Sequence, residues 1–116
     1  MTTADTTTYT WYVPAGSLEQ ITFAILDAAG PRPVPGWTVD AKIKDRPGGT
    51  VLHTFPTDMA VLSGDGTTAT LTIPGDVSAA WAFTTAWFRV KVINPAPVVP
   101  VEQRRVLSGP LIVLPE

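Results

Sequence analysis

The sequence holds no cysteine and a single histidine, His53, in 116 residues. The missing thiols exclude a disulfide framework and thiolate metal sites, and agree with folding in a reducing compartment. One imidazole without thiols cannot assemble the usual zinc ligand sets. Charge is scarce too: 8 lysines and arginines against 10 aspartates and glutamates give a net charge of −2 and a charged fraction of 16%. That balance lacks the basic stripe of a nucleic-acid-binding domain. No apolar run approaches the roughly 18 residues of a transmembrane helix, so neither nucleic acid nor membrane is expected as a partner. The N-terminal stretch Met1-Thr2-Thr3-Ala4-Asp5-Thr6-Thr7-Thr8 is polar, without the basic start and apolar stretch of a secretory signal. It reads as a flexible lead-in over residues 1–8.

Present instead is a hydrophobic fraction of 45% punctuated by 12 prolines and 9 glycines. A chain of this length makes one domain and buries about two-thirds of its unfolded surface. So apolar a composition with so few charges suits a surface that neighbours cover. Short alternating runs, broken by Gly and Pro, extend from end to end. In Trp37-Thr38-Val39-Asp40-Ala41-Lys42-Ile43-Lys44, period-two alternation puts Trp37, Val39, Ala41 and Ile43 on one face and the polar residues on the other.

The pattern predicts strands over 9–13, 18–27, 37–44, 50–55, 67–73, 86–93 and 104–114. Residues 28–36 form a Pro/Gly-rich connector that cannot join a central ladder, and 56–63 read as a loop. Ser108-Gly109-Pro110 suggests a bulge or bend at a sheet edge. Asp76 to Phe83 carries the one helical signal: Asp76 can cap the first turn, and Val77, Ala80 and Trp81 recur at helical spacing. The expected class is therefore all-β: an immunoglobulin-like sandwich of about seven strands over residues 9–116, with one short helix between strands five and six. A partly open barrel is the runner-up. The expected core contains Trp37, Phe23, Ile43, Leu71, Phe88 and Val90, with Trp37 as its tryptophan.

No constellation for catalysis is visible. A nucleophile–base pair needs an imidazole near a hydroxyl, and His53 lies in a strand-like run with Val51 and Phe55 on its face, a structural setting. Asp27, Asp45 and Asp65 end strands or sit in turns, where Asp bonds local backbone. Asp58 and Asp65 match no EF-hand spacing. Gly48-Gly49 and Gly64-Asp65-Gly66 lack the helix and lysine of a phosphate loop. No catalytic, metal or cofactor residue is assigned, and no enzyme is expected. The aromatics are more informative. With Phe88 inward, Trp87 shares the opposite face with Arg89 and Lys91, and with Trp11 inward, Tyr12 points out. Outward Trp beside Arg is the composition of binding hot spots.

Ile25-Leu26-Asp27-Ala28-Ala29-Gly30-Pro31, the run from Pro35 through Asp45, and Gly48-Gly49-Thr50-Val51 together resemble the small immunoglobulin-like modules of tailed-bacteriophage virions. Asp65-Gly66 before an alternating strand, the short Trp-containing helix and the closing strand at Gly109 extend the likeness over nearly the whole chain. Such modules occur in baseplate upper proteins, as an N-terminal domain, and in minor tail proteins; related sandwiches decorate capsids. Trp87-Phe88-Arg89 departs from the tyrosine-centred strand expected there. The resemblance implies a non-enzymatic structural subunit of the virion, made in the host cytoplasm and assembled into the tail tip or baseplate. Its expected partners are other virion proteins of tail or capsid and further copies of itself. The expected interface comprises Trp87, Arg89, Tyr12, Pro33 and Pro97, the last two in stiff proline loops that order at little cost. The chain's end after its closing strand implies a stand-alone subunit. Two alternatives accompany this reading: a capsid decoration protein, or a carbohydrate-binding module that stacks Trp87 and Trp81 on host-surface glycan.

Overall fold

The computed structural model describes residues 7–27, 30–95 and 103–115. Among them the elements run β1 (Thr7–Thr8), β2 (Trp11–Pro14), β3 (Glu19–Ala24), β4 (Leu26–Asp27), β5 (Gly30–Pro31), β6 (Thr38–Lys44), β7 (Val51–Thr54), β8 (Ala60–Leu62), β9 (Thr68–Ile73), α1 (Gly75–Ala79), β10 (Thr85–Ile93) and β11 (Gln103–Leu114). The large sheet has the order β1-β11-β10-β6-β7, with β2 also on β11, and the small sheet the order β3-β9-β8. The split into β3-β9-β8 and β6-β10-β11 is that of an immunoglobulin-like sandwich, with the opening strands added beside the closing one. The all-β expectation holds, and α1 crosses between the sheets from β9 to β10.

Alternation decides which residues form the core. On β10, Ala86, Phe88, Val90 and Val92 are buried; on β9, Ala69, Leu71 and Ile73 are buried and the intervening threonines face out. Ile43, Leu71, Phe88 and Val90 are fully buried, as expected, while Phe23 is half-buried on β3. The central tryptophan is a correction. Trp11, wholly buried, stacks on Phe55 at 6.3 Å and meets Phe88 edge-on at 5.5 Å. Its indole N–H donates to Glu19 Oε2 at 3.3 Å, which satisfies the ring's polar end. Trp37 is half-buried against the core margin, because it precedes β6 in a turn closed by its own N–H to the Val34 carbonyl.

All seven expected strands have counterparts, but the run 18–27 breaks after Ala24 into β3 and β4, and three segments outside the expected strands also pair. Residues 56–63, read as a loop, contain β8, which pairs with β9 from Ala60–Leu71 to Leu62–Ala69. Three apolar residues in a row show no alternation, so only the partner strand reveals them. In the proline-rich connector, Gly30–Pro31 pairs with Leu26–Asp27 as a two-stranded ribbon outside both main sheets. The helix is Gly75–Ala79, not Asp76 to Phe83. Pro74 holds its N-cap position, and Asp76 sits in the first turn, where a negative charge favours the helix dipole. Buried Ser78 ties the helix to the turn after β2: its hydroxyl accepts from the Gly16 N–H at 3.0 Å and donates to the Gly75 carbonyl.

The expectation for Gly109-Pro110 also needs correction. β11 lies inside the sheet, with β10 on one side and β1 and β2 on the other. The register shift falls earlier, between the Val90–Leu107 and Lys91–Arg105 pairs. Gly109 and Pro110 instead mark where pairing passes from β1, at Thr8–Ser108, to β2, at Trp11–Leu111. The Tyr9 backbone crosses directly over Gly109, bonding its N–H to the Ser108 carbonyl at 2.9 Å, and a Cβ at Gly109 would collide with the Tyr9 carbonyl. Of the predicted lead-in, Thr7 and Thr8 form β1, and residues 1–6 lie outside the described residues.

Trp11→Ala is expected to lower unfolding free energy by about 3–5 kcal/mol, as for other fully buried aromatics. Trp37→Ala is expected to cost less. Urea unfolding of both variants checks this, and equal losses would contradict the assignment of the central ring.

Candidate functional site

The titratable groups are held by local structure. The His53 ring, on β7, meets Phe55 at 5.1 Å and Trp81 at 5.6 Å, both near-perpendicular, and burial pushes its pKa down from the ordinary 6.5. Asp65 Oδ1 accepts from the hydroxyls of Thr67 and Ser63, each at 2.7 Å, and from the Thr67 amide at 3.2 Å. Those bonds, the Thr67 hydroxyl foremost, hold its carboxyl below the usual range. Asp45 likewise closes its own turn, accepting from the Thr50 amide at 2.9 Å and from Arg46. The side chain of Asp27 lies outside the described residues. No group of three or more His, Asp or Glu that could hold a metal ion occurs among the described residues.

The side chains that converge lie on the outer face of the large sheet. Trp87, Arg89 and Lys91 project outward from β10, between its buried residues. Register brings Lys44 beside Trp87, Lys42 beside Arg89, and Asp40 beside Lys91 from β6; β11 supplies Pro110, Ser108 and Arg105 on the other flank. Between them runs a shallow groove of about 360 Å³, bounded by the Pro47–Gly48 turn and lined by Lys44, Trp87, Arg89, Lys91 and Arg105. On β2, Tyr12 pairs with Ile112 on this same outer face and is 55% exposed, with exposed Leu114 two residues on. Three expected interface residues, Trp87, Arg89 and Tyr12, therefore share one face. Trp87 is half-buried between its neighbours rather than fully exposed. Pro33 is exposed but lies in the loop whose Val34 bonds the Gly66 carbonyl, at the end of the sandwich away from Trp87. Pro97 lies outside the described residues.

Electrostatics on this face are one-sided. Lys42, Lys44, Arg89, Lys91 and Arg105 are five of the chain's 8 cations, and Asp40 is the acid among the described residues of this face. Its Oδ2 is shared, 3.7 Å from Arg89 Nη2 and 4.0 Å from Lys42 Nζ, both longer than a hydrogen bond. The Arg89 side chain is 12% exposed, and its buried Nη1 has no hydrogen-bond partner among the described residues. Lys91 donates to Gln103 Oε1 at 3.2 Å. Its pKa is lowered by burial and then by the positive charge of Arg89, with Lys42 and Arg105 adding to the shift and Asp40 opposing it. Alternation alone finds Trp87 and Arg89. The lysines of β6 and Arg105 join them only through cross-strand register, which the chain does not spell out locally.

Because the folded-state pKa of His53 is depressed, its contribution to stability is full above about pH 6.5 and fades as pH falls through the folded-state value. His53→Phe keeps a ring against Phe55 and Trp81 and removes the proton site. Its urea midpoint is expected to fall less on acidification than that of the wild type; parallel falls would contradict the burial of this imidazole.

No protein-family model matches the sequence, and no curated protein matches it.

Proposed function

We propose that this chain is a non-enzymatic structural module of a tailed-bacteriophage virion, placed in the tail tip or baseplate and working through its faces and edges. The observation that carries an assembly role is the free edge that β3 gives the small sheet, the edge beside an apolar groove. β3 pairs with β9 on one side, and among the described residues no strand pairs with its other side. Soluble sandwiches protect such an edge with lysine, proline or a bulge. Here the register is unbroken, the exposed side chains are Gln20, Thr22 and Ala24, and the carboxylate of Glu19 is engaged by Trp11. Beside this edge runs a groove of about 300 Å³ lined by Thr8, Tyr9, Ile21, Thr22, Phe23 and Leu107. An unpaired strand next to an apolar groove is the arrangement by which one chain adds a strand to another. The place in a virion rests on the resemblance of the turn-and-core pattern described above.

A glycan-binding role draws less support. Trp81, which it needs as an open stacking platform, packs on Phe83 at 4.9 Å with His53 against it. Particles of the phage encoding this chain, probed with gold-labelled antibody, are expected to carry label at the tail tip. Label over the head would move the module to capsid decoration, and particles without label would overturn the virion reading.

A further inference from the structure

We propose that the outer face of the large sheet is a docking site for an acidic segment of a partner protein, whose carboxylates enter the groove between Lys44, Arg89, Lys91 and Arg105. This names a partner surface for the assembly reading above. Its test uses purified protein and a synthetic peptide, so it can fail while the virion assignment stands, and the reverse.

Three observations lead here. The first is segregation of charge: a chain with net charge −2 gathers most of its cations on one face of one sheet. The second is an unmet donor. Among the described residues Arg89 Nη1 has no acceptor, and its neighbour Nη2 reaches Asp40 only at 3.7 Å. The Arg89 side chain lines the groove and keeps 12% of its surface open, so its exposed part can meet an anion there. A guanidinium takes a carboxylate through two parallel bonds, a geometry Asp40 does not offer at this distance. The third is the setting of Lys91: burial first, and then the positive charges of Arg89, Lys42 and Arg105, make its ammonium easier to deprotonate, with Asp40 opposing them. An incoming anion relieves the repulsion among these cations.

The same geometry selects a peptide over a nucleic acid. The cations cover only the stretch from Trp87 to Lys91, about 13 Å of strand, and Asp40 interrupts them. A nucleic acid needs a basic track matched to successive phosphates. Beside the cations lie the Trp87 indole, Pro110 and, further along, Tyr12 and Leu114. That apolar shelf suits the aliphatic part of Glu and its neighbouring side chains, while a free phosphate would leave it unused.

The test is fluorescence anisotropy of fluorescein-labelled hexaglutamate titrated with the purified protein at low ionic strength. Saturable binding that weakens with added salt is expected. Arg89→Gln should weaken it roughly tenfold or more, the scale of one charge-assisted contact. The double variant Lys44→Gln/Arg105→Gln alters the groove's rim alone and keeps the test valid if Arg89→Gln fails to fold. It should weaken binding by a similar factor, whereas Arg32→Gln, away from the groove, should leave it unchanged. The proposal is overturned if hexaglutamate does not bind, if the rim variant binds as tightly as the wild type, or if inorganic phosphate or oligothymidylate binds more tightly than the peptide.

Discussion

The crossing of the Tyr9 backbone over Gly109 is the contact on which the rest of the sandwich depends. Because residue 109 has no side chain, the Tyr9 carbonyl sits where a Cβ would otherwise be. The chain can then pair with β11 on both sides of the crossing, first as β1 and then as β2. That pairing carries Trp11 into the centre of the core, between Phe55 and Phe88. It also commits the opening strands to the large sheet, which leaves the outer side of β3 without a neighbour among the described residues. One glycine thus links the interior packing to the surface through which the module is proposed to assemble.

The two sheets present different chemistry to the outside. The small sheet shows hydroxyls and amides: Thr22 and Thr70 share a hydrogen bond at 2.9 Å, and Gln20 donates to Thr72 at 3.0 Å. These cross-strand pairs are worth tenths of a kcal/mol each, up to about 1; they bring no charge, so nothing on that face repels a neighbouring strand. The large sheet shows clustered cations around one shared carboxylate. A free edge beside an apolar groove supplies affinity without much selection. A charged face selects among partners by complementarity and repels those of like sign. Together they suit a module that must both bind and choose.

Much of this was legible in the chain, for one physical reason. Where a strand buries one face, its inward and outward residues must alternate, so the interiors of β3, β6, β9 and β10 could be read directly. What escaped was non-local. Ala60-Val61-Leu62 has no alternation, and β9 alone makes it a strand. Trp37 sits in the clearest alternating run, yet Trp11 in a four-residue strand is the buried ring. Its depth is set by where Gly109 lets the chain cross, 98 positions further along the chain. Trp87, Arg89 and Tyr12 were placed outward by the same alternation. Lys91, Lys42 and Lys44 were placed outward in the same way, but which of them meet could not be, and Val106, in the register shift of β11, decides which arginine faces Lys91.

The claim that the edge of β3 is an assembly surface is tested most directly by light scattering over a concentration series, on the wild type and on Thr22→Lys. Thr22 is exposed on that strand, so the added charge leaves the core untouched. The wild-type mass is expected to rise above the 12.3 kDa of one chain as concentration increases, with the variant held at one chain. Identical masses for the two proteins at every concentration would contradict it.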